Sequence, residues 1–425
     1  MAVNTGARLL ADLADNTRLT AALSQAMAPT KVLDRGHDRG RVLVDAAVMI
    51  ADGGEAISDI AALGQQRGLF GEVASVSTLW RVLDVAGGRV EQIKTARASA
   101  RRAVWAAGAD PGFYVIDIDA TLVGSHSNKQ GAAGTYKHGF GFHPLMACLD
   151  ATGEALAGLL RPGNAGSNTA TDHITVLDDA LDQLPVDPQE VEVIVRADSA
   201  GCTKEFLEAC RERNVRFCVS HPLSIDVAAA VTTIPDKRWQ PTVSSDASDL
   251  REHAEITEVT EHVDLSNRPE RTRMIARRED PHPGAQLTFS DSRGCRLQVL
   301  ITDLADTDIA YIEALHRGRG RAEQQIRDNK TTGLAKLPSS SFATNSAWLQ
   351  MSITAHDLLA WTRLLVLDGD LATAEPKRLR WCLQHTPARL TTTGRRRYAK
   401  LADDWPWTPH LITAFQRLHN LPLLI

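Results

Sequence analysis

The chain has 425 residues, 43% of them apolar and 5% aromatic, with a formal net charge of −5. That length accommodates two or three domains and a sizeable core, which excludes a mainly disordered chain, and the charge excludes a protein that is basic throughout. Six cysteines without a C-x-x-C pair read as reduced thiols of a cytoplasmic protein. The N-terminus lacks the pattern of a signal peptide, and no apolar run approaches the ~20 residues needed to span a membrane.

Residues 1–108 read as helical. Ile57, Ile60, Ala61 and Leu63 recur at helical spacing in 57–69, and 75–87 opens on Ser75 and closes on Gly87. Two short helices around a Gly-containing connection predict either a helix-turn-helix or an ordinary bundle. In the first case Thr78 and Arg81, beside Ser77 and Trp80, face DNA from the second helix. Residues 109–224 change to strand-like runs at 113–119, 145–149, 154–160, 191–198 and 215–220. Helical segments at 169–184 and 203–214 make this an α/β region. Residues 225–302 are rich in β-type runs with polar loops, and Trp239 is the only tryptophan there. Helices are expected at 308–330 and 345–367 within 303–370. The basic region 371–425 follows, where 376–400 holds Lys377, Arg378, Arg380, Arg389, Arg395, Arg396, Arg397 and Lys400 and no acid. Such a patch binds polyanions or is simply solvated.

Two apolar strands end in acids, "YVIDIDATLV" with Asp117 and Asp119 and "VEVIVRAD" with Asp198. In α/β sheets strand ends are where ligands bind, and paired carboxylates there suit divalent cations and phosphodiester chemistry. D-x-D-x-T-L also resembles the opening motif of haloacid-dehalogenase-like phosphohydrolases, in which Asp117 would be the nucleophile. The third piece is "HRGRGRAEQQIRDNK". On one helix Glu323 lies about 40° from Arg319 and about 20° from His316 and Lys330, so the four form one stripe.

The run His316-(2)-Arg319-(3)-Glu323-(6)-Lys330, with Asp119 in a D-x-T context and Asp198 between strand and helix, resembles a DDE transposase of a bacterial insertion sequence. More narrowly it resembles the insertion-sequence-four superfamily, marked Y-(2)-R-(3)-E-(6)-K, with His316 in place of the tyrosine. The wording of 117–167 is most similar to the insertion-sequence family numbered thirteen-eighty. The resemblance covers about residues 40–370. It implies an α/β fold: an RNase H-like catalytic core (109–224 and 303–370) interrupted by a β-rich insertion (225–302), with a helical N-terminal DNA-binding region (1–108) and a helical, basic C-terminal region (371–425). It implies Asp119, Asp198 and Glu323 as catalytic ligands of two Mg²⁺ ions, with Mn²⁺ as a substitute. His316, Arg319 and Lys330 would contact DNA, joined by Thr78, Arg81 and the Arg395, Arg396, Arg397 run. The partners implied are double-stranded DNA, as terminal inverted repeats and target, and a second copy of the chain, and the location is the cytoplasm, at the nucleoid when DNA is bound. A catalytically silent DNA-binding protein is the remaining alternative.

Overall fold

The computed structural model describes residues 3–30, 36–244, 248–281, 294–305, 307–394 and 396–422. Helices α1 (Ala7–Asn16), α2 (Leu19–Met27), α3 (Arg39–Ala51), α4 (Ile60–Gly64), α5 (Arg67–Phe70), α6 (Val76–Ala86) and α7 (Val90–Val104) come first. Strands β1 (Tyr114–Ala120), β2 (Val123–Gly124), β3 (Ala133–Gly134), β4 (Phe140–Phe142), β5 (Leu145–Leu149) and β6 (Ala155–Leu159) follow. Next come α8 (Ala170–Leu181), β7 (Val193–Ala197), α9 (Lys204–Glu212) and β8 (Val215–His221). Then α10 (Ile225–Thr232) leads into β9 (Gln240–Val243), β10 (Leu250–Glu258), β11 (Arg273–Glu279) and β12 (Arg296–Thr302). The chain ends in α11 (Ile309–Arg317), α12 (Gly320–Asn329), α13 (Phe342–Val366), α14 (Gly369–Ala372), α15 (Pro376–Leu379), β13 (Ala388–Thr393), β14 (Arg396–Leu401) and α16 (Thr408–Asn420).

The fold is mixed α/β around one nine-stranded mixed sheet, ordered β6-β5-β1-β7-β8-β12-β11-β10-β9. Strands β1, β7 and β8 are parallel, and the other pairings are antiparallel. The central strands are near-continuous apolar runs because helices cover both of their faces. Ile116, Ile118, Val193, Val195 and Ala197 join the large core that includes α13, and Val115, Ile194, Cys218 and Leu300 form a second core with Ile312 and Leu315 of α11. Residues alternate along a strand. Asp117, Asp119, Arg196 and Asp198 therefore face the α11–α12 side.

Three features add to or differ from the sequence reading. The β-type runs expected in 225–302 form β9 to β12, and they extend the central sheet: β12 pairs with β8, Val299 opposite His221 through Thr302 opposite Cys218. The helix expected at 57–69 is broken into a 3-10 turn, α4 and α5, whereas α6 forms as expected, with Ser75 Oγ accepting from Thr78 N at 3.3 Å. The N-terminal helices also share the large core with α13, which is buried along most of its 25 residues.

A buried ion network ties these parts together. Asp357 Oδ2 of α13 accepts from Arg97 Nη2 at 2.8 Å and Arg101 Nη2 at 2.7 Å, both of α7. Glu154, before β6, accepts from Arg101 Nε at 2.8 Å, Trp361 Nε1 at 2.7 Å and Trp105 Nε1 at 3.1 Å. Trp348 and Trp361 are fully buried, as packing residues should be. The described cysteines are free thiols, and no helix among the described residues is long and apolar enough to cross a membrane.

Candidate active site

Asp119 is the last residue but one of β1, and Asp198 directly follows β7. The register sets Ile118 beside Ala197, so the two acids leave neighbouring parallel strands at the same level. Asp198 is held there as the cap of a 3-10 turn, its Oδ1 accepting from Ala200 N at 2.9 Å. The third acid, Glu323, lies in the first turn of α12 and is exposed. Burial pushes the Asp119 carboxyl up to about 6, and the charges of Asp198 and Glu323 push the same way. Arg319 opposes them, its Nη2 3.0 Å from Asp119 Oδ2. The acids are thus close enough to burden one another, with a guanidinium as the nearby countercharge.

The helix stripe survives only in part. α11 ends at Arg317, and Gly318 and Arg319 form a 3-10-like step, with Arg319 N bonded to His316 O at 3.0 Å, before α12 begins. Arg319 pairs with Asp119, and Glu323 lies near enough to add to the rise in its pKa. His316 turns instead to Ser220 of β8, its Nε2 2.9 Å from Ser220 Oγ. Burial lowers its pKa to about 3, so the imidazole is neutral and does not add a positive charge. Lys330 follows the end of α12, seven residues beyond Glu323 and about 10 Å further along its axis. It is half-buried and its pKa is lowered by burial and by Lys137. Thr78 is half-buried and Arg81 exposed on α6, while Arg396 and Arg397 are exposed on β14. Arg395 lies outside the described residues.

What the sequence reading missed is the support beneath the acids. Asp117 is buried and clamped by Arg196, with Nε to Oδ1 at 2.8 Å and Nη2 to Oδ2 at 2.6 Å. Arg196 also reaches Leu315 O at 2.6 Å and Asp150 at 3.1 Å, and Asp150 in turn binds Arg321 of α12 at 2.7 and 2.5 Å. This chain pins the start of α12, and hence Glu323, to the sheet. The visible signal was an arginine inside the apolar strand "VEVIVRAD". A carboxylate held bidentately and buried is not a free nucleophile, which counts against the phosphohydrolase alternative. Asp117→Ala is expected to lower stability by about 3 kcal/mol, because it removes the bidentate partner of the fully buried Arg196. Cleavage is expected to persist; complete loss of activity at unchanged denaturant midpoint would instead make Asp117 the nucleophile.

Three further residues can be placed. The Trp239 ring is covered by the Arg278 guanidinium 4.4 Å from its centroid, so that face is already occupied. His143 is buried against Ala165 O at 3.3 Å, while His138 sits in the tip of an exposed turn.

Beside the acids opens a cavity of about 390 Å³, lined among others by Ser199, Ser220, His221, Arg277, His316 and Arg319. Arg319 Nε and His316 Nδ1 are buried without a hydrogen-bond partner among the described residues. As placed, no three His, Cys, Asp or Glu side chains of the described residues are close enough to hold one metal ion together. The match to a hard divalent cation is one of donor chemistry: Asp119, Asp198 and Glu323 offer the carboxylate oxygens such an ion takes, and its charge would relieve the ionisation penalty on Asp119.

The chain matches, over residues 1–423, the family model described as "Transposase DDE domain group 1". It belongs to that family. This DDE transposase chain is also similar to a solved structure, a cryo-EM structure of the piggyBac transposase synaptic complex with hairpin DNA. The identity is 9%, the TM-score 0.46, and the match covers 88% of this chain and 80% of that one. No curated protein matches the chain.

Proposed function

We propose that the chain is a cut-and-paste DNA transposase whose site is Asp119, Asp198 and Glu323 within an RNase H-like core. The observation that carries this reading is the placement of Asp119 and Asp198 at the same level on neighbouring parallel strands, with Arg319 3.0 Å from Asp119 and Glu323 one helical turn further along. The three carboxylates would hold two Mg²⁺ ions, with Mn²⁺ as substitute. Bound there, such ions activate a water or 3′-hydroxyl and stabilise the leaving oxygen of a phosphodiester. Asp119 and Asp198 fix the strand side of the site, and Glu323 closes it from the helix. Arg319, with its unpartnered Nε, binds a phosphate oxygen as the DNA enters. His316 takes part as a neutral hydrogen-bonding ring at the cavity, and Lys330 contacts the backbone further along. Thr78 and Arg81 on α6, and the Arg395–Arg397 run, supply outlying DNA contacts. The substrate is duplex carrying the element's terminal inverted repeats, bound by a homodimer, in the cytoplasm at the nucleoid. The wording of the chain favours the insertion-sequence-four superfamily and, within it, the family numbered thirteen-eighty.

The test uses the purified chain and duplex DNA taken from either side of its own reading frame, with Mg²⁺ or Mn²⁺. Strand cleavage at a fixed position leaving a 3′-hydroxyl is expected. Binding without cleavage in either metal, under conditions that preserve the fold, would leave the silent DNA-binding reading in its place.

A further inference from the structure

The basic run at 376–400 is not uniform once folded. Arg380 is sunk into the body, donating to Ala51 O at 2.8 Å and Thr331 O at 2.5 Å, and Arg378 pairs with Asp370 at 3.5 Å. Arg389, Arg396, Arg397 and Lys400 stand exposed on the β13–β14 hairpin. Cross-strand partners share a face, and successive pairs alternate between faces. The pairs Ala388–Leu401 and Leu390–Ala399 face the body: Ala388 is buried, Leu401 packs on the core, and Leu390 lies against Gly68 of α5. The pairs Arg389–Lys400, Thr391–Tyr398 and Thr393–Arg396 make up the opposite, outward face.

That outward face has a regular layout. Two cations stand at its base and one at its tip, with the half-exposed Tyr398 and Thr391 between them. Base and tip pairs are four residues apart, about 14 Å at strand rise. The major groove of B-DNA is about 12 Å wide and admits a two-stranded ribbon. We propose that this face of the hairpin is a ribbon arm crossing the major groove of double-stranded DNA. Arg389 and Lys400 contact phosphates on one wall and Arg396 contacts the other, while Tyr398 and Thr391 face the groove. The inference rests on the transposase reading and assigns it a docking element built from Arg389, Tyr398 and Lys400 as well as Arg396.

The test is anisotropy of the full-length chain with a labelled duplex of arbitrary sequence and with the corresponding single strand, over a KCl series. The triple variant Arg389→Gln, Arg396→Gln, Lys400→Gln is expected to lower the duplex salt slope by about 2.7, from about 0.9 per lost phosphate contact. Tyr398→Ala is expected to weaken duplex binding with the slope unchanged. A comparison triple, Lys204→Gln, Lys336→Gln, Arg378→Gln, removes the same charge from cations already paired with Glu208, Glu55 and Asp370, and its slope is expected to stay at the wild-type value. The charge-keeping set Arg389→Lys, Arg396→Lys, Lys400→Arg should restore the slope, which separates charge loss from misfolding. A wild-type slope in the ribbon triple, an equal drop in the comparison triple, or a drop seen only with the single strand would overturn the proposal. Failure of the transposase reading shows separately, as absence of metal-dependent cleavage by the wild-type chain.

Discussion

Asp119→Asn is expected to reduce metal-dependent strand cleavage by about 10³-fold or more while leaving duplex binding near the wild-type level. The magnitude follows from the several kcal/mol that a well-held divalent ion contributes to charge stabilisation in the transition state, each 1.36 kcal/mol being a factor of ten. Asp119 is singled out among the acids because it pairs with Arg319 and because burial raises its pKa. Its own ionisation is costly without metal. The folded carboxyl is raised from 3.8 to about 6, so the stability it contributes is fully present below 3.8 and is lost as pH rises through about 6. Asparagine removes that loss. The metal-free variant is therefore expected to be at least as stable as wild type at pH 7, even though it is inactive. Cleavage assays and denaturant unfolding on the same preparations check both halves. An inactive variant that is also several kcal/mol less stable would point to a structural role for Asp119.

The second large effect lies far from the acids. Asp357→Ala strips the shared carboxylate from Arg97 and Arg101, leaving two fully buried guanidiniums underpaired. Breaking a buried pair in this way costs about 3–5 kcal/mol. The loss is expected in urea unfolding monitored by tryptophan fluorescence, since Trp105 and Trp361 share the network through Glu154. The same network makes the sheet depend on the N-terminal helices, since without α7 the buried Glu154 and Asp357 would lose their arginine partners. A change in stability within ±0.5 kcal/mol for Asp357→Ala would contradict this account.

Much of the sheet and its helices was legible in the sequence, for a simple reason. Strands buried on both faces must be apolar throughout, so 113–119, 145–149 and 191–198 stood out, and β1, β5 and β7 form there. The long helix expected at 345–367 forms as α13 (Phe342–Val366), since a long apolar run and the Ser341 cap are both local. Pairings between distant segments leave no such trace. Nothing local says that β12 joins β8 rather than a separate layer. Charges are equally ambiguous: Arg97 and Arg101 in "TARASARR" look solvated and are fully buried, while Arg380 in the basic run is an internal brace. Within the candidate site, the spacing of Arg319 and Glu323 was readable because the two lie one helical turn apart. The placement of His316 was not, since it depends on where the helix breaks and on Ser220 from another strand.

The central claim is that Asp119, Asp198 and Glu323 hold divalent metal over a DNA strand. The direct measurement is the anomalous scattering of Mn²⁺ in crystals of the chain bound to duplex from the flank of its reading frame. The account predicts Mn²⁺ peaks about 2.1 Å from carboxylate oxygens of all three residues, at the scissile phosphate. Ordered DNA with Mn²⁺ absent from this trio, or bound at other acids, would contradict it.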